Sequence, residues 1–133
     1  MRITARLILL AVALAALPAL RAQQEDPIPV AVVKYKGQEM PVYEIKQVLP
    51  VHTECPQYPR EEQIQKIEGS ALIAAVVGEN GRVVEAEIVT SAPNAAFGPS
   101  ALEAVLQWRF PKTKRDGKPT RFIVRVPVSF KIE

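Results

Sequence analysis

From residue 121 to residue 132 the chain alternates without a break. Phe122, Val124, Val126, Val128, Phe130 and Ile132 fall on one side, and Arg121, Ile123, Arg125, Pro127, Ser129 and Lys131 on the other. A strand turns successive side chains to opposite faces, so this pattern predicts a β-strand with one buried face. Such a strand needs partners on its ladder and a layer over its apolar side. Pro127 cannot donate to a ladder, and a proline inside a strand belongs at an edge or a bulge. The last strand is therefore expected at a sheet edge. Its arginines, lysine and proline blunt that edge, yet an open edge also accepts a partner's strand.

The partners are supplied by residues 70–91, two apolar runs joined by Gly78-Glu79-Asn80-Gly81. Asn-Gly between such runs is a strong hairpin signal, because a type I′ turn needs positive φ at both central residues. With Asn80 and Gly81 as the turn, the expected cross-strand pairs are Glu79 with Arg82, Val77 with Val84, Ala75 with Ala86 and Ile73 with Ile88. One face is apolar. The other carries Leu72, Ala74, Val76 and Val83 but also Glu85 and Glu87, which read as a partly solvated face. Residues 95–109 then show helical period, with Phe97, Ala101, Ala104 or Val105, and Trp108 on one side. Pro99 and Ser100 suit its first turn and Pro111 stops it. This helix is the expected lid over the hairpin, with Trp108 as a core residue.

Earlier in the chain the signals are weaker. Residues 30–36 and 41–48 flank Gly37-Gln38-Glu39 and form a candidate small hairpin, with its membership of the main sheet left open. Pro56-Gln57-Tyr58-Pro59 must be extended, since each proline biases its predecessor away from helix. Residues 60–67 suit a short surface helix ended by Gly69.

Residues 1–22 read as a leader, with Arg2 and Arg6, an apolar run from Leu7 to Leu17, Pro18, and Ala22 at a cleavage point. The −3 position is Leu20 or Leu17 rather than a small residue, so an uncleaved anchor is the alternative. The apolar stretch between Arg6 and Arg21 is 14 residues long, against about 20 for a membrane span. Residues 23–54 then form an N-terminal arm, and residues 55–133 the main domain. The leader holds three arginines and no acid, so the net charge of +3 belongs to it. The remainder is neutral, and nucleic acid is not an expected partner. It is also asymmetric: residues 23–108 hold 6 basic and 12 acidic groups, residues 109–131 hold 8 and 1. Intramolecular balance and steering of an acidic partner are both open readings.

Chemistry is hard to assemble from this chain. It has one cysteine, Cys55, and one histidine, His52. Their His-x-x-Cys spacing lacks a second pair of ligands, so no metal or other cofactor is expected. No Gly-x-Ser-x-Gly or phosphate loop is present, and no nucleophile, base and orienting group can be brought together. An enzyme is excluded as the main reading, and no catalytic residue is assigned.

Six motifs in one order carry a resemblance. Pro56-Gln57-Tyr58-Pro59, Ile67-Glu68-Gly69, Glu79-Asn80-Gly81-Arg82-Val83, Trp108-Arg109-Phe110-Pro111, Asp116-Gly117-Lys118-Pro119 and Val126-Pro127-Val128-Ser129-Phe130 resemble the C-terminal domain of TonB-family energy transducers, over residues 55–132. The resemblance implies an α+β fold, a three-stranded antiparallel sheet covered by two helices, to which the N-terminal hairpin would be an addition. It also implies a periplasmic domain that binds the TonB box of an outer-membrane transporter as a strand beside its last strand. Carried over, the edge is residues 121–130, with Arg121, Ile123, Arg125 and Pro127 along it and Pro56, Gln57, Tyr58 and Pro59 nearby, Gln57 beside the peptide. Family members that transduce energy have a membrane helix docked on an inner-membrane proton-driven motor, and a long Pro-rich spacer. Here residues 23–54 reach at most roughly 110 Å, and residues 1–22 lack the Ser and His that such anchors use. Binding is thus better supported than pulling. Alternatives are a short anchored transducer working with the motor, and a domain whose open edges pair in a homodimer.

Overall fold

In chain order the strands are β1 (Ala31–Tyr35), β2 (Gln38–Glu44), β3 (Gly69–Val77), β4 (Val83–Ala92), β5 (Lys114–Arg115), β6 (Lys118–Pro119) and β7 (Phe122–Phe130). The helices are α1 (Arg60–Ile64) and α2 (Phe97–Val105), with a 3-10 turn at Ile45–Gln47. The structure, a computed structural model, describes residues 26–133. The leader expected over residues 1–22 lies outside the described residues.

β3 and β4 form the hairpin that Asn80-Gly81 signals, but the turn is of another type. Gly81 N–H donates to the Gly78 carbonyl at 2.9 Å and Gly78 N–H to the Arg82 carbonyl at 2.8 Å. Within the loop only Gly81 has positive φ, +84°. That is a three-residue loop, a type I turn followed by a bulge at the glycine. Asn80 uses its side chain instead, its Oδ1 accepting from Arg82 N–H at 3.1 Å. Gly81 is also a point of close approach: a Cβ there would stand 2.1 Å from the Phe110 carbonyl oxygen. Ile73↔Ile88 and Ala75↔Ala86 pair as the sequence predicts, while the bulge shifts Val77 from Val84 to Val83.

β7 lies antiparallel on the other side of β3, in unbroken register from Gly69↔Phe130 to Val77↔Phe122. Its even-numbered residues face α2, and Phe122, Val124 and Val126 are fully buried there with Ile73, Ala75 and Val77. α2 contributes Phe97, Ala101 and Val105 to the same core. It is shorter than the helical period suggests. Trp108 follows it, half-buried against Phe110, with its indole N–H donating to the Glu54 carbonyl at 2.9 Å. α1 is shorter too, because Lys66 turns left-handed at φ 58° ahead of Gly69. Ile64 consequently points into solvent, 70% exposed, and Ile67 packs on the core instead.

The three-stranded antiparallel sheet is corrected to a five-stranded mixed sheet of order β1-β2-β7-β3-β4. The N-terminal hairpin joins it, β2 running parallel to β7 through Val42↔Ile123, Tyr43↔Val124 and Glu44↔Arg125. Burial on both faces is the reason. Tyr43 enters the core under α2, edge-on to Phe122 at 5.6 Å, while Met40 and Val42 bury Val76 and Ile123 on the back. The sheet curls, so that the β1 end of the hairpin reaches β4 at the opposite end of the strand order: Lys36 Nζ lies 2.6 Å from Glu85 Oε1, and the Tyr35 hydroxyl donates to Oε2.

Candidate partner-binding edge

β7 has two different outer sides along its length. Over Ile123–Arg125 that side is taken by β2; over Val126–Phe130 no strand among the described residues pairs with it. The expected edge over residues 121–130 is therefore corrected to its second half. The division is fixed, because lifting β2 would expose Met40, Val42 and Tyr43, each 4% exposed or less. At roughly 1.5–3 kcal/mol per side chain, a short peptide cannot repay that loss.

Why the pairing stops is visible in the chain. After Glu44 the backbone enters the 3-10 turn, where Gln47 Oε1 accepts from Glu44 N–H at 2.9 Å. Val48 then drops into the main core. β7 continues alone, and Pro127 brings no donor to whichever side its nitrogen faces. The inner ladder with β3 passes through Leu72↔Pro127 without a shift. A nitrogen facing outward costs that ladder nothing. Alternate residues of a strand turn their backbone groups to the same side, so Ser129 N–H points where the Pro127 nitrogen does.

The site residues expected from sequence are spread over three environments. Pro127 is exposed on the open stretch. Ile123 is buried in the back cluster at 9%, and Arg125 is paired with Glu44, Nη1 to Oε1 at 3.4 Å. Arg121 precedes β7, in a hollow it shares with Glu39, Glu79 and Lys118. In the segment from Pro56 to Pro59, Tyr58 sets its ring edge-on to Phe97 at 6.0 Å and to Phe130 at 5.6 Å. Its hydroxyl donates to the Ile67 carbonyl, and burial raises its pKa. Tyr58 thus pins the segment to the far end of β7. Gln57, exposed, shares a hollow with Ser100, Glu103 and Gln107 on the α2 side, and Pro56 and Pro59 are half-buried flanks.

Sequence reasoning passed over the Tyr35–Lys36–Glu85 clasp. Hydrogen bonds from Lys36 and then Tyr35 hold the Glu85 carboxyl below the usual carboxylate range, and raise the pKa of both donors. Only the turn signal at Gly37-Gln38-Glu39 pointed there. Of the basic C-terminal stretch, Arg125 pairs with Glu44, while Arg109, Lys112, Lys114, Arg115, Lys118 and Arg121 are exposed and in no ion pair among the described residues. β5 and β6 even set Arg115 opposite Lys118. Among the described residues no cluster of three or more potential ligands exists for a metal. No helix among them is long and apolar enough to cross a membrane.

Residues 54–132 match the family described as Gram-negative bacterial TonB protein C-terminal. Over 78 residues the chain is 32% identical to Protein TonB of Vibrio cholerae serotype O1, covering 59% of this chain and 32% of that protein. Over 86 residues it is 28% identical to Protein TonB of Pseudomonas aeruginosa, covering 65% of this chain and 25% of that protein. The chain thus spans about a third or less of the length of these relatives. The solution NMR structure of the Pseudomonas aeruginosa TonB CTD superposes with a TM-score of 0.54 at 28% identity, covering 65% of this chain and 87% of that one. The chain belongs to the TonB C-terminal domain family, a non-enzymatic one.

Proposed function

We propose that this chain acts in the periplasm, in TonB-linked transport, by capturing the TonB box of an outer-membrane transporter as an added strand. The observation that carries the reading is the open stretch Val126–Phe130 on the last strand of the family's fold. Strand addition draws affinity from main-chain bonds and specificity from alternate side chains. The seat is short, bounded by Arg125 and Glu44 at one end and by Phe130 and Tyr58 at the other. No chemistry is performed on the peptide.

The test is a titration of the 15N-labelled chain with a synthetic peptide copied from the N-terminal TonB box of a transporter of the same bacterium. Amide shifts concentrated at Val126–Phe130 are expected, and shifts confined to other strands would reject the site. Ser129→Pro sharpens it. The substitution removes a donor on the side already served by a proline, so the fold should survive while affinity falls several-fold, about one hydrogen bond's worth. Unchanged affinity with an intact fold would sink strand addition on β7. We further propose that residues 1–22 are removed on export. Intact mass of the protein from a double-membraned bacterium should then show a soluble species beginning at Gln23, whereas a full-length membrane species would make it an anchored transducer.

A further inference from the structure

β4 is the other outer strand, ten residues long, and its side away from β3 has no strand partner among the described residues. Val84, Ile88 and Val89 are exposed along it, from 39% to 50%. It contains neither lysine nor proline, and its charges are Glu85 and Glu87. Both lie opposite back-face residues of β3, Glu85 against Val76 and Glu87 against Ala74. With Tyr35 and Ile123 they line a groove of about 230 Å3 whose floor is apolar.

One end of this groove shows how it receives a cation. Lys36 Nζ sits 2.6 Å from Glu85 Oε1. Glu87, next along the same row, is exposed and has no ion-pair partner among the described residues. The regular run from Glu85 to Ile88 lies between two register shifts. Bulges and charges are the devices by which edges refuse other edges. The edge refused is a second copy: a two-fold antiparallel β4 pair centred on Glu85, Ala86 or Glu87 sets carboxylate against carboxylate. A strand of opposite charge meets no such penalty.

We propose that the outer edge of β4 is a second strand-addition site, which takes an extended protein segment carrying lysine or arginine at alternate positions. The backbone ladder supplies the pairing, as at any open edge. A basic side chain on the back face of the added strand stands one strand spacing, about 4.8 Å, from Glu87, and its charge meets that carboxylate. The site is distinct from the β7 seat, since β3 stands between the two strands. A partner could hold both at once.

The experiment is an amide-shift titration of the full chain with an eight-residue peptide alternating lysine and valine, against one alternating glutamate and valine. The lysine peptide should shift Glu85–Ile88 and leave Val126–Phe130 unmoved; the glutamate peptide should leave β4 unmoved. Glu87→Gln should weaken the lysine peptide about fivefold, the worth of one cross-strand charge pair. Glu87→Lys should exchange the preference between the peptides. Because Glu87 is exposed and has no ion-pair partner among the described residues, neither variant endangers the fold. An unchanged preference in Glu87→Lys, lysine-peptide shifts only outside β4, or no binding of that peptide overturns the proposal.

Discussion

The two faces of the sheet are built from different parts of the chain. Under α2 the core draws on Ile73, Val77, Phe97, Val105, Phe122, Val124 and Val126, each fully buried, and all but Tyr43 and Val48 of that cluster lie within the family match of residues 54–132. On the back, Met40, Val42, Val76 and Ile123 keep 4%, 4%, 5% and 9% exposure, and half of them come from a hairpin outside that match. The back face of the matched region is thus covered by the N-terminal hairpin of this chain. In covering it, β2 also takes three of the nine positions along the outer side of β7. What remains open to a partner is decided by a segment outside the matched residues 54–132.

The largest effect should come from the shared face. Val126→Asp places a carboxylate where exposure is zero and no cation is at hand. Such a change costs several kcal/mol, comparable with a domain's whole stability of about 5–15 kcal/mol. Loss of the cooperative thermal transition by circular dichroism is expected. A native-like melt would show that the inward register of β7 is misassigned.

A smaller and more local loss is expected on the back. Met40→Ala removes a side chain 4% exposed from the small cluster with Val42, Val76 and Ile123. Deletions of this kind cost roughly 2–5 kcal/mol, and a rim cluster beside a groove can collapse, which favours the low end. Hydrogen exchange should speed up in β1 and β2 while β3 and β7 keep their protection. Equal loss in all four strands would mean that the two faces unfold as one unit, and the contrast between them would fail.

How much of this was legible follows from where the partners lie. β3, β4, β7 and α2 announce themselves through local periodicity, and Ile73↔Ile88 and Ala75↔Ala86 follow from counting outward from the turn. The turn type did not follow, because Gly78 lengthens the loop and frees Asn80 to bond through its side chain. The place of β2 was beyond local reading: Val42 meets Ile123 in a parallel pair across some eighty positions. Gln57 is the side chain expected beside a peptide on β7; it stays exposed in a hollow with Ser100, Glu103 and Gln107, while Tyr58 wedges between Phe97 and Phe130. A dipeptide cannot show which of two adjacent residues the core will claim.

The smallest effect belongs to the clasp that ties the back face shut. Lys36 and Tyr35 hold the Glu85 carboxyl below its usual range. A carboxyl with a depressed folded pKa contributes stability above its unfolded pKa, about 4.3 for glutamate, and loses it as pH falls through the lower folded value. Lys36 and Tyr35 are raised, so their share is present below their unfolded values and is lost as pH rises through the raised ones. The clasp should accordingly hold across the neutral range and open only at the acid and alkaline ends. Its groups are largely solvated, and water screens the pair, so the melting temperature should move little. The sensitive readouts are the Glu85 carboxyl resonance, titrating below an ordinary glutamate, and the Tyr35 ring resonances, moving with it on the acid side. In Glu85→Gln the acid-side movement of Tyr35 should vanish while β3 and β7 stay unchanged. If the Tyr35 resonances still move on the acid side in that variant, the hairpin is held against β4 by something other than this carboxylate.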